Sequence, residues 1–175
     1  MTSRFVRSSL VVATALLVAV GTVGCATFET DRVAAVDDRE LSQDDLASIL
    51  ESELMPVVFE APAPIGGTVD GNTARGIVSI WVTLAALADA GLIDDAQVEE
   101  VKTTLSTDPQ FATAWGESTP VMQDLVAWYS VVGNALASGD LEREAAIAAI
   151  QGASVTVSSF YGAWDSEQLA VVALR

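Results

Sequence analysis

Val33-Ala34-Ala35-Val36-Asp37-Asp38-Arg39-Glu40-Leu41-Ser42-Gln43-Asp44-Asp45-Leu46 packs three structural signals into one short run. Val33 to Val36 is a β-prone stretch. Asp37-Asp38 is a turn signal, and Arg39-Glu40-Leu41 returns as a second strand. Ser42 then starts a helix, because its hydroxyl can accept from the first-turn amides. Asp45, three residues on, completes the pattern of a reciprocal capping box. Leu46, Ile49, Leu50 and Leu54 share one helical face, while Asp44, Asp45, Glu51 and Ser52 lie mostly off it. Pro56 is expected to stop this helix.

Downstream, Pro56, Pro62, Pro64, Gly66, Gly67 and Gly71 predict a long connection over 56–72. Gly66-Gly67 has no preceding strand and no following Gly-Lys-Ser/Thr, so it is no phosphate loop. Asn72 or Thr73 is expected to cap a helix running to about Ala90. Its apolar residues, Ile77, Val78, Ile80, Trp81, Val82, Leu84, Ala85 and Leu87, cover most of the circumference, which predicts a central, buried helix. Gly91 supplies its stop. Asp94 caps the next helix, whose inner face is Val98, Val101 and Leu105. Asp108-Pro109 and Thr119-Pro120 each place proline at a helix start. Val121, Leu125, Trp128, Val132 and Leu136 give the second of these an apolar stripe. Gly139 ends it, and Asp140 is expected to cap one more helix, closed by Gly152.

The tail changes period. Val155 and Val157 alternate with Ser154, Thr156 and Ser158, which is strand spacing. Phe160 to Asp165 reads as an aromatic turn, and Leu169 to Leu174 as a last strand. The fold class expected is mainly α, with five or six helices and one small β-sheet joining residues near 33–41 to residues near 154–174. Isolated hairpins are marginal in water, so the two ends gain by pairing.

Ahead of the fold lies an address. Arg4 and Arg7 make a positive n-region, and Leu10 to Val20 is an almost unbroken apolar run. Small residues lead to Cys25. This is a secretory signal pattern, too short for a comfortable membrane span. Thr22-Val23-Gly24-Cys25 resembles a bacterial lipobox, with Thr22 where an aliphatic residue is usual. The resemblance implies cleavage before Cys25 and lipidation of that cysteine by diacyl and palmitate-type chains. The division expected is 1–24 signal peptide, 25–32 tether and 33–175 helical domain. The location expected is the outer face of a bacterial cell membrane, lipid-anchored, with the bilayer as one partner.

Charge and composition exclude several function classes. The 175-residue chain has 8 Lys+Arg, 24 Asp+Glu, no histidine and one cysteine. Triads built on histidine, His-ligated zinc and thiolate clusters are therefore excluded. A net charge of −16 argues against nucleic acid, which needs a basic footprint. Removing Arg4 and Arg7 with the signal leaves six basic against 24 acidic side chains, a net −18. Such acidity keeps the domain solvated and repels anionic headgroups, so attachment would rest on acyl chains. The pairs Asp37-Asp38, Asp44-Asp45, Asp94-Asp95 and Glu99-Glu100 lack calcium-loop spacing. Three of them sit at turns or helix starts, where carboxylates complement the helix dipole. No catalytic, cofactor or metal residues are expected.

The opening run quoted above resembles the start of the SurA N-terminal domain: an Ala-Val strand, a short polar turn, then a helix with acidic residues and leucine. Thr68-Val69-Asp70-Gly71-Asn72-Thr73-Ala74-Arg75-Gly76 and Val155-Thr156-Val157-Ser158-Ser159-Phe160-Tyr161-Gly162-Ala163-Trp164-Asp165 resemble a lipoprotein subgroup of that family. In that subgroup Pro and Arg are common where Ser159 and Phe160 stand. The family comprises secreted or lipid-anchored chaperones and foldases. Many members carry a parvulin prolyl isomerase domain. This sequence leaves no room for one and lacks its histidines, so no enzyme activity is expected. The resemblance implies a non-enzymatic module binding unfolded or extended segments of exported proteins. Trp81, Trp115, Trp128 and Tyr129 are the candidate apolar client-binding residues. Trp81 and Trp128 also sit on core stripes. The alternative is a structural or small-ligand-binding envelope lipoprotein without chaperone activity.

Overall fold

The computed structural model describes residues 31–59 and 70–174. Among them the chain forms β1 (Arg32–Val36), β2 (Arg39–Ser42), α1 (Gln43–Glu51), α2 (Leu54–Val58) and α3 (Gly71–Asp89). There follow α4 (Asp95–Thr107), α5 (Ala112–Glu117), α6 (Pro120–Ser138) and α7 (Arg143–Gly152). The tail adds β3 (Val155–Val157), β4 (Ala163–Asp165) and β5 (Ala170–Val172). The protein is mainly helical, with small antiparallel sheets.

The opening run folds as its residues dictate. β1 and β2 pair antiparallel across Asp37-Asp38, with Val36 opposite Arg39. Asp37 takes a positive φ of 50°, a conformation that Asn and Asp tolerate better than most residues. Its amide donates to the Ser154 carbonyl at 3.0 Å, and its carboxylate accepts from the Ser154 amide at 3.3 Å. The turn is thereby tied to the start of β3. Ser42 caps α1, and both halves of the capping box with Asp45 are formed. β1 begins at Arg32, and residues 1–30, which hold the expected signal peptide and most of the expected tether, lie outside the described residues.

β1 is the middle strand of a sheet ordered β2-β1-β3, all antiparallel. The two chain ends therefore do pair. The expectation of one terminal sheet needs correction, because β4 and β5 form a second, separate hairpin. The aromatic segment read as a turn is partly strand: Ala163, Trp164 and Asp165 make β4. Gly162 explains why its chain enters there at all. Its φ is 138°, and a Cβ at that position would stand 2.1 Å from the Val172 carbonyl oxygen. Only glycine lets the two backbones approach so closely.

α3 is the central helix. Ile77, Val78, Trp81, Val82, Leu84 and Leu87 are all buried along it. It touches β1, β5, α1, α6 and α7. Gly91, at φ 68°, ends it with two closing bonds, Gly91 amide to Ala88 carbonyl and Leu92 amide to Leu87 carbonyl. Ser79 on α3 docks β5: its hydroxyl accepts from the Val171 amide at 2.8 Å and donates to the Arg75 carbonyl. Lys102 on α4 reaches Asp124 on α6 at 2.7 Å, pinning that pair together.

Helix starts and stops depart from expectation at several prolines and cap residues. α1 ends at Glu51, and Pro56 lies inside the first turn of α2, where its missing amide costs nothing. Leu54 thus belongs to the second helix, not the first. Asp70 is the N-cap residue of α3, ahead of Asn72 and Thr73. Asp108-Pro109 makes a turn, with the Asp108 carboxylate accepting from the Gln110 amide, and α5 begins only at Ala112. Glu142, not Asp140, precedes α7; the Asp140 carboxylate instead accepts from the Ser138 hydroxyl. In α6 the fully buried stripe is Met122, Leu125, Val126 and Val131, rotated from the expected one, and Leu136 is exposed.

Candidate functional site

α6 borders three hollows, and they differ in chemistry. The first lies between α3 and α6 and is lined chiefly by Ile80, Leu84, Tyr129, Val132, Leu136 and Leu169. Its volume is about 340 Å³. That is at the small end of the roughly 300–1,000 Å³ of ordinary ligand pockets. All but one of its named residues project from two long helices, so its walls are fixed by core packing beneath. Tyr129 and Leu136 are each 44% exposed at its edge. The ring of Phe59 meets Tyr129 edge-on at 5.1 Å. Leu169 enters from the β4–β5 turn with φ 51°, an uncommon conformation for leucine.

The second hollow lies between β2, α1 and α6. It has a volume of about 710 Å³ and is bordered by Arg39, Asp44, Trp81, Val121, Asp124 and Trp128. Its chemistry is mixed: an aromatic and aliphatic wall, one guanidinium and several carboxylates. The Arg39 guanidinium lies over the Trp128 ring, 5.4 Å from its centroid. The third lies between α4 and α6, with about 870 Å³ and a rim that includes Asp94, Glu100, Asn134 and Asp140.

The sequence-derived candidates do not form one patch. Trp81 is 4% exposed and Trp115 5%, so both are core residues. Trp81 still contributes to the floor of the second hollow. Trp115 lines neither of the first two; its carbonyl accepts from the Gln123 side chain at 2.9 Å. Trp128 is half-buried beside Arg39, and Tyr129 opens onto the α3/α6 groove. Adjacent residues on a helix point about 100° apart, which sends these two rings into different hollows. Cys25 lies outside the described residues.

Leu136, Leu169 and Arg39 escaped the sequence reading as site residues. Leu136 continued a core stripe, Leu169 stood in a presumed strand, and Arg39 was one residue of a returning strand. An arginine opposite a turn beside an acidic helix start is a local signal. What it meets on α6, 89 positions later, is not.

Few ionisable groups are perturbed. Hydrogen bonds to Asp124 and Glu99 hold the Lys102 ammonium above its ordinary value. Burial raises the Tyr161 phenol. Amide and side-chain bonds from Gln168, and the Glu167 amide, lower Asp165. None of the three lines the α3/α6 groove or the Arg39 cleft. Among the described residues no group of three or more acidic or cysteine side chains is placed to hold a metal ion. No helix among them is long and apolar enough to cross a membrane. Comparison with family models, with curated proteins and with solved structures finds no match.

Proposed function

We propose that the chain is a lipid-anchored envelope protein that acts as a non-enzymatic, chaperone- or foldase-like module for exported polypeptides. Its strand–turn–strand–capped-helix opening supports a SurA N-terminal-like reading of the helical domain. The observation that carries the binding role is the α3/α6 groove, with Tyr129 and Leu136 exposed at its edge. The mechanism is reversible burial of client side chains against Ile80, Leu84 and Val132. Each large apolar side chain buried there offers roughly 1.5–3 kcal/mol before ordering costs. The groove accommodates one or two side chains, so holding an extended client requires several weak, renewable contacts. Weak contacts suit a holder that must release its client. The acyl chains on Cys25 keep the domain at the membrane surface, where exported chains emerge.

The small size of the groove is also what favours the second reading, a small-ligand-binding or structural lipoprotein. One experiment separates the two. The full chain, reconstituted through its anchor into vesicles, is mixed with an unfolded envelope protein and light scattering is followed. Chaperone action predicts suppressed aggregation, weakened by Leu136→Ser at the groove edge. No suppression at several-fold excess leaves the second reading. Intact-mass analysis of the membrane fraction tests the anchor, and an unmodified Cys25 thiol overturns it.

A further inference from the structure

Arg39 is an unusual cation in this chain. Arg32 pairs with Glu40, Arg75 meets the Asn72 side chain, and Lys102 bridges Glu99 and Asp124. Arg143 is exposed to solvent. Arg39 is half-buried at the edge of the second hollow. No ion pair reaches it from the described residues. This occurs in a protein with 24 carboxylate side chains. A guanidinium carries five donors in a planar fork whose geometry matches a carboxylate.

The carboxylates around Arg39 are already occupied elsewhere. Glu40 is held by Arg32, Asp124 by Lys102, and Asp45 by the Ser42 capping box. Only Asp44, exposed at the mouth, is uncommitted. The Arg39 Cζ lies over the Trp128 ring, a cation–π contact that uses none of the guanidinium's hydrogen-bond donors. The start of α6 borders the same cleft. Thr119 does not cap that helix with its side chain; its hydroxyl is bonded to Ser48 at 3.1 Å. The first-turn amides therefore add positive potential beside Arg39. Pro120, Val121 and Trp81 give the cleft an apolar wall.

We propose that this cleft binds a small monocarboxylate with an apolar body, its carboxylate on the Arg39 fork and its body against Pro120 and Val121. The single charge matters. Asp44, Asp45 and Asp124 line the same cleft, and a second negative charge on the ligand would meet their repulsion. Phosphate is therefore disfavoured. The site is distinct from the α3/α6 groove and stands or falls apart from the chaperone reading.

The test is calorimetric titration of the full chain in detergent micelles with isovalerate, isovaleramide and inorganic phosphate. Isovalerate is expected to bind saturably, and the other two are expected neither to bind nor to compete. Arg39→Gln is expected to weaken isovalerate by roughly tenfold or more, the scale of a hydrogen bond to a charged group. Arg39→Lys is expected to recover part of that loss, and Arg143→Gln to change nothing. Circular dichroism checks that each variant is folded. Should Arg39→Gln unfold, the acid and its amide on the unaltered chain still decide the matter. Equal binding of acid and amide, displacement by phosphate, unchanged binding by folded Arg39→Gln, or no saturable binding of isovalerate each overturns the proposal.

Discussion

Two hairpins dock on the same central helix, and they are held in opposite ways. The β1–β2 hairpin is held by burial. Val33, Ala34, Val36 and Leu41 have no measurable exposure, and Ala35 has little. The β4–β5 hairpin has one buried apolar side chain, Val171, with Trp164 half-buried beside it. It relies on point contacts instead: the Gly162 close approach, the Ser79–Val171 bond and the Asp165 turn. Burial is spread over many atoms, so the first hairpin belongs to the global folding unit. Point contacts can fail singly, so the second is able to open alone.

The comparison breaks most visibly at Leu41. Leu41→Ala removes a fully buried side chain under the first hairpin and is expected to cost about 3 kcal/mol. In a chain of this size that lowers Tm by roughly 6–12 °C, in one transition for all probes. A thermal melt followed by circular dichroism and by fluorescence checks it. Separate transitions would mean that the first hairpin is not part of the global unit.

Gly162→Ala should act differently. Its methyl group meets the Val172 carbonyl, and its φ of 138° is strained for alanine. The cost, about 2 kcal/mol or more, is limited by the work of detaching the hairpin. Amide exchange is the suitable measurement. Val171 and Trp164 should lose protection while Leu41 and Val82 keep theirs. Uniform loss across both hairpins would erase the contrast.

The smallest effect concerns pH. Asp165 accepts from the Glu167 and Gln168 amides and from the Gln168 side chain. These bonds favour its charged form and lower its pKa from the ordinary 3.8. A folded-state value below the unfolded one means that this stabilisation is present above about that pH and lost as acid protonates the carboxylate. Trp164 fluorescence should therefore report hairpin loosening below pH 3.8 in the natural chain. Asp165→Asn should show the looser state already at neutral pH, with less further change on acidification. Identical acid profiles for the two chains would remove Asp165 from the account.

What the sequence by itself determined is what is local. A two-residue acidic turn, the Ser42–Asp45 box, the apolar circumference of α3 and the Gly91 and Gly139 stops each depend on neighbours within a few positions. Backbone sterics and the 3.6 and 2 periodicities suffice for them. Even the joining of the two ends followed from unpaired strands needing partners. Where proline offered two meanings the local signal misled: Pro56 sits in a helix first turn, which tolerates what a helix interior rejects, whereas Pro109 sits in a turn ahead of α5. Tertiary structure alone decided the rest. The split of the tail into β3 and a separate β4–β5 hairpin rests on the close backbone approach to Val172 that Gly162 permits, having no Cβ. The rotation of the α6 stripe exposed Leu136 and Tyr129 and buried Met122, because α3, α4 and α1 all press on that helix. The meeting of Arg39 with Trp128 brings together residues whose separation in sequence carries no periodic trace. Hollows form between elements, so their linings are fixed by packing angles that no single element encodes.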